Sequence, residues 1–151
     1  SSYPYGDYLM TASTLFAVDN QDDNRLFAKD RAMGVIIENS AKIYPIAEFN
    51  DDFVVMNEDI ANVPYVVIGG IDARFALAFS RTLNDEVLEF QAVTDGQRFL
   101  IEDQHGRNWN ILGQGVSEEV TGQSLNQVTH YTAFWFAWAA FFNNLTIVDI
   151  P

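Results

Sequence analysis

At 151 residues with 48% hydrophobic and 14% aromatic content, the chain has the length and composition of one folded domain with a real core. Eight basic residues against 21 acidic ones give a formal charge of −13, which repels phosphate backbones and anionic lipid and so speaks against a nucleic-acid partner. There are no cysteines, which excludes disulfides, thiol nucleophiles, thiolate zinc sites, iron–sulfur clusters and covalently attached c-type haem.

The chain opens at Ser1 rather than at a methionine, which reads as a processed or trimmed product whose targeting segment is gone. Residues 1–31 read as an extended aromatic and acidic arm. Ser1 to Asp7 is rich in Tyr, Pro and Gly, and Leu9 to Val18 fits neither the helical nor the strand period. Tyr3, Tyr5, Tyr8, Leu15 and Phe16 are its candidate interface residues, because an aromatic arm buries little against itself. Asp19, Asp22 and Asp23 are candidate calcium ligands, since oxygen donors alternate along Asp19-Asn20-Gln21-Asp22-Asp23-Asn24. This loop lacks a glycine at its sixth position, and Asp30 stands where a bidentate glutamate belongs. A solvated acidic loop is the plainer reading, so no cofactor is expected beyond that possible calcium ion.

Residues 32–151 read as a single β-rich domain, a twisted sheet or small barrel with one short buried helix near its C-terminus; α+β is the fallback class. Met33 to Ile37 and Lys42 to Ile46 flank a hairpin turn at Glu38-Asn39-Ser40. Tyr65 to Ile68 is a short apolar run of the kind covered on both faces, broken by Gly69-Gly70. Phe75, Leu77 and Phe79 alternate with Ala76, Ala78 and Ser80, which places the large residues on one face. After a turn at Leu83-Asn84-Asp85-Glu86, strands are expected at Val87 to Val93, Arg98 to Asp103 and Asn108 to Leu112. Asp95-Gly96 and His105-Gly106 supply the turns between them.

Ala133 to Phe142 is a block of ten apolar residues, too short for the roughly 18–20 that span a bilayer, so no membrane span is expected. Phe134, Trp138 and Phe141/Phe142 share one helical face, and the alanines favour helix, so a buried helix over 133–142 is predicted with Trp135 or Trp138 in the core. Leu145 to Val148 returns as a last strand.

Several blocks together carry a resemblance: GVIIENSAKIYPI, Asn62-x-Pro64-Tyr65-Val66-Val67, Ala76-Leu77-Ala78-Phe79, EDQHGRNWNILGQGV, TGQSL and FWFAWAAF. From about Met33 to Asp149 the chain resembles the bacterial family catalogued as domain of unknown function 3179. Members typically resemble V-V-T-Y-C-P-L-C-G-S-A-I-A-F at the central turn, where this chain places Gly70 and Ala73 at the cysteine positions. Members often carry N-x-H where this chain reads Asn50-Asp51-Asp52. Any thiol-pair chemistry the family performs is therefore closed to this member.

His105 and His130 are the only histidines, and both read as structural, one in a hairpin turn and one before the aromatic helix. No Gly-x-Ser-x-Gly motif presents a nucleophile, and Gly113-Gln114-Gly115 lacks the helix start and lysine of a phosphate loop. The expected function is a non-catalytic secreted, periplasmic or cell-surface module of a bacterium. It would bind another extracellular protein or assemble with copies of itself. The alternative is a hydrolytic or metal-assisted enzyme whose carboxylates the sequence does not place.

Overall fold

The computed structural model describes residues 30–49, 53–70, 75–96, 98–141 and 144–151. The predicted class is observed: mainly β, with one short buried helix near the C-terminus and stacked sheets rather than a closed barrel. Twelve strands are described. Strands β1 (Arg31–Ile37) and β2 (Ser40–Pro45) form the first hairpin, followed by β3 (Val54–Ile60), β4 (Val63–Gly70) and β5 (Phe75–Ser80). Next come the short pair β6 (Thr82–Leu83) and β7 (Glu86–Val87), then β8 (Gln91–Asp95), β9 (Arg98–Glu102) and β10 (Asn108–Asn110). The chain ends through β11 (His130–Phe134), helix α1 (Trp135–Phe141) and β12 (Leu145–Ile147).

Two-residue turns close the hairpins, and their backbone angles explain their residues. Asn84 and Asp85 between β6 and β7 both take positive φ, 51° and 66°, the left-handed geometry that matches strand twist and that Asn and Asp tolerate best. Ala61 and Asn62 do the same between β3 and β4, at 50° and 65°. The predicted turn after Ile37 is present, with Glu38 at φ 58°.

Three sheets stack, and each interface is a separate apolar cluster. The first sheet runs β11-β1-β2-β12, the second β3-β4-β5 and the third β10-β9-β8. Met33, Val35, Tyr44 and Ile46 of the first sheet and its following turn meet Tyr65, Val67 and Ala78 of the second. The opposite face of the second sheet, with Val66, Ile68 and Phe79, packs on Ile101 and Trp109 of the third. The outer face of the first sheet, through Ala32, Ala41 and Ile43, is covered by Trp135 and Trp138 of α1.

This layering accounts for the central run. Tyr65, Val66, Val67 and Ile68 are all fully buried, as expected of a strand covered on both faces. The strand includes Gly69 and ends at Gly70, and the glycine at 69 leaves room for the Phe49 ring, which a side chain there would approach to 2.6 Å. On β5 the large residues share one face as predicted, Phe79 and the partly buried Leu77 turning toward the third sheet, and the opposite face is buried too. Ala76 and Ala78 fill one interface while Phe79 fills the other.

Two predicted boundaries are corrected. The helix begins at Trp135, because Ala133 and Phe134 are held in β11 by ladder pairing with Ala32 and Arg31 of β1. The expected strand over 87–93 is interrupted at 88–90, where side chains replace the ladder. Within α1, Trp135, Phe136 and Trp138 are buried, so the predicted tryptophan core is present. The Trp138 ring lies over Gly34, where a Cβ would come within 2.5 Å of it, and its Nε1 donates to the Ala32 carbonyl at 3.0 Å.

Candidate functional site

The resemblance-bearing block from Glu102 to Val116 is the densest polar construction among the described residues. Asp103 is its centre. Its Oδ1 accepts from the backbone N–H groups of His105 (2.9 Å) and Arg107 (3.0 Å), and its Oδ2 from Arg107 Nε (2.8 Å) and Trp109 Nε1 (3.1 Å). Burial alone would raise the acid's pKa. The bonds from the Trp109 indole, Arg107 and His105 outweigh it and hold the carboxyl below the usual carboxylate range. Trp109 is completely buried. Asn110 closes the next turn, its Oδ1 accepting from Leu112 N and Gln114 N. Gly115 then passes so close to the Val120 carbonyl that a Cβ would stand 2.0 Å from its oxygen. The block thus builds a turn and anchors a tryptophan.

A second construction stitches the irregular segment between β7 and β8. Asn57 copies a ladder pair, donating from Nδ2 to Phe90 O (2.8 Å) and accepting at Oδ1 from Phe90 N (2.9 Å). From the other side, Gln104 donates to Val87 O and accepts from Glu89 N. The buried Arg81 donates to three carbonyls, those of Tyr65, Leu88 and Glu58, each at 2.9 Å, and reaches Glu89 Oε1 at 3.3 Å. The N–H groups of 88–90 and the carbonyls of Val87, Leu88 and Phe90 are thereby bonded, the Leu88 N–H by the Arg81 carbonyl at 2.7 Å.

Between the first two sheets, the Tyr44 hydroxyl donates to Glu58 Oε1 at 2.8 Å and contacts the Tyr65 hydroxyl. With the Tyr44 hydroxyl hydrogen directed at the carboxylate, Tyr65 is the donor in that contact. Burial first, then the Tyr65 phenol and Glu58, push Tyr44 well above its usual pKa; Tyr65 is raised mainly by burial. Lys42 Nζ lies 3.9 Å from Glu58 and completes the cluster.

A shallow pocket of about 350 Å³ is lined by Glu89, Phe90, Gln91, Glu102 and Gln104 with Asp103 behind them. Its polar walls already have partners: Glu89 faces Arg81, Gln91 Nε2 donates to Glu102 at 2.7 Å, and Gln104 holds the backbone. His105 Nε2 stands 2.7 Å from Glu86 Oε2 on the exposed rim. His130 Nδ1 donates to Val128 O at 2.8 Å. Glu118 and Glu119 lie in a single exposed 3-10 turn. Among the described residues no group of three or more His, Asp or Glu side chains could hold a metal ion. No helix among them is long and apolar enough to cross a membrane. The calcium candidates Asp19, Asp22 and Asp23 and the interface candidates Tyr3, Tyr5, Tyr8, Leu15 and Phe16 lie outside the described residues, as does Asn50-Asp51-Asp52.

The remaining feature is the side of β11 that pairs with no strand among the described residues, which the helical reading of 133–142 concealed. Ile36 N donates to Thr129 O at 3.0 Å and Trp135 N to Asp30 O at 2.8 Å. Both bonds fall on the alternation in which Thr129, Tyr131, Ala133 and Trp135 turn their backbone groups to β1. His130, Thr132 and Phe134 therefore turn N–H and C=O outward, where no described residue pairs with them. Tyr131 is 59% exposed and Phe134 is 38% exposed. Three of the other outer strands are guarded: β3 carries Glu58 and Asp59, β5 is bridged by Gln127, and β12 has three residues before Asp149.

The family described as protein of unknown function (DUF3179) matches residues 1–145. No curated protein matches the chain, and no solved structure does.

Proposed function

We propose, for a chain that belongs to the DUF3179 family of proteins of unknown function, that it is a non-catalytic interaction and assembly module of the bacterial exterior, secreted, periplasmic or on the cell surface. The observation that carries this reading is the outer side of β11. His130-Tyr131-Thr132-Ala133-Phe134 contains no Lys, Asp, Glu or Pro to discourage pairing and presents three consecutive sets of outward backbone groups. Such an edge is a template for another strand, from a second copy or from another extracellular protein. The engagement of Asp103, Arg81, Gln104 and the tyrosine pair in holding the scaffold supports the same reading, since those side chains already have work. The charge of −13 supports a protein partner over a nucleic acid. Calcium at Asp19, Asp22 and Asp23 belongs to the same proposal as an optional structural ion.

The test is particle mass by light scattering over a concentration series from micromolar to millimolar. The reading expects a mass that rises above the 17.0 kDa chain with concentration. A chain that stays at that mass throughout, and hydrolyses an ester or glycoside substrate, would replace the module with an enzyme.

A further inference from the structure

We infer that β11 pairs with β11 of a second copy, antiparallel, about a two-fold axis through Thr132. This rests on the assembly reading above and names its partner. The register follows from the alternation already established. The outward residues His130, Thr132 and Phe134 are symmetric about Thr132, so two copies in opposed directions set Thr132 against Thr132 and His130 against Phe134 of the second copy. Each outward N–H then meets an outward C=O, and two four-stranded sheets become one continuous sheet.

The side chains fit this pairing and favour a second copy over an unrelated strand. Tyr131 and Ala133 lie on the α1 side of the sheet, where Ala133 packs against the cluster of Trp135 and Trp138. Opposite Tyr131 on β1 stands Gly34, which has no side chain to cover the ring, and Tyr131 is left exposed. In the pair, Tyr131 of each copy faces Ala133 of the other, large against small on both sides of the axis. On the other side, Phe134 faces His130, and the central Thr–Thr pair is a favoured cross-strand combination. A chain of charge −13 repels its own kind, yet this strand carries no acidic or basic residue other than His130. Raising the ionic strength therefore tightens the dimer by screening the repulsion between the two bodies.

The absence of cysteine makes the register directly readable. In the pairing, the two Thr132 Cα atoms stand about 5.5 Å apart, within disulfide range, whereas two His130 Cα atoms are separated by about 13 Å along the strands. Thr132→Cys and His130→Cys variants of the full chain are oxidised with diamide at a concentration where light scattering shows a dimer. Both are first matched to the parent by circular dichroism. The expected result is a disulfide-linked dimer from Thr132→Cys and little from His130→Cys. A third variant, Thr132→Lys, weakens the dimer on the order of ten-fold by placing two ammonium groups on the axis. Equal cross-linking of both cysteine variants, or of neither while the particle remains dimeric, overturns the β11 pairing and leaves assembly through another surface standing. A monomer at every concentration overturns both.

Discussion

The turn around Asp103 and the edge at β11 treat backbone polar groups in opposite ways. At the turn, one buried carboxylate accepts four hydrogen bonds, and nearby Asn57, Gln104 and Arg81 close the groups of a segment that has no strand partner. At β11, three residues turn their groups outward without closure by any described residue. The first arrangement places charge inside the fold to satisfy backbone, while the second keeps charge away from backbone that is left available. Around Asp103, charged and amide side chains close the backbone where strands stop. On β11 no Lys, Asp, Glu or Pro stands at the edge, and the proposed pairing rests on that difference.

The largest effect is expected from breaking the closed region. Asp103→Ala removes the partner of two backbone N–H groups, the Trp109 indole and the Arg107 guanidinium at once. It should cost about 3–5 kcal/mol, read by urea unfolding. The folded pKa of Asp103 lies below its ordinary value, so its contribution is present above that value and is lost as pH falls through the lower folded one. Asp103→Asn should therefore flatten the acid limb of the stability curve as well as lower its plateau. An acid limb unchanged in the variant would show that the carboxylate is not the group responsible.

Next is Arg81→Met, which retains the length of the stem but leaves the carbonyls of Tyr65, Leu88 and Glu58 without their donor. A loss of about 2–4 kcal/mol is expected. Amide hydrogen exchange should also rise first at Leu88 to Phe90. Uniform exchange across the sheets would mean that Arg81 supports the core as a whole and not that segment.

A smaller effect belongs to the tyrosine pair. Tyr65→Phe removes the hydrogen bond to Tyr44 and should cost about 1 kcal/mol at neutral pH. Both phenols have folded pKa values above the ordinary one near 10, so their contribution is complete below pH 10 and is lost as pH rises past it. Thermal unfolding between pH 8 and 11 should fall less steeply in the variant than in the parent. An equally steep fall would assign the alkaline limb to other groups.

Local pattern carried much of the fold into view. The turn at Asn84-Asp85, the doubly covered run from Tyr65 to Ile68 and the tryptophans of α1 are all readable, because each depends on neighbours in sequence. What escaped depends on distant backbone. Arg81 looks like a lone cation after an apolar strand, and nothing local says that carbonyls from Glu58, Tyr65 and Leu88 converge on it. Asn57 and Gln104 resemble ordinary surface residues until the chain bends at 88–90 to meet them. The β11 edge was hidden for a related reason. Ala133-Phe134 continues a helical pattern in sequence, but β1 offers it a ladder, and the ladder prevails.

The smallest expected effect tests the open region in the absence of any partner. Thr132 is exposed, and its backbone groups face outward, so Thr132→Lys removes no hydrogen bond from the ladder with β1. Below the concentration at which copies associate, its unfolding free energy should match the parent within about 0.5 kcal/mol. Above that concentration, the parent should gain stability with concentration, because association is linked to the folded state, while the variant should gain less. The gap between the two regimes is the quantity of interest. A variant already destabilised by more than about 1 kcal/mol when dilute would place Thr132 inside the scaffold. The contrast between a finished turn and an extendable edge would then fail at its second half.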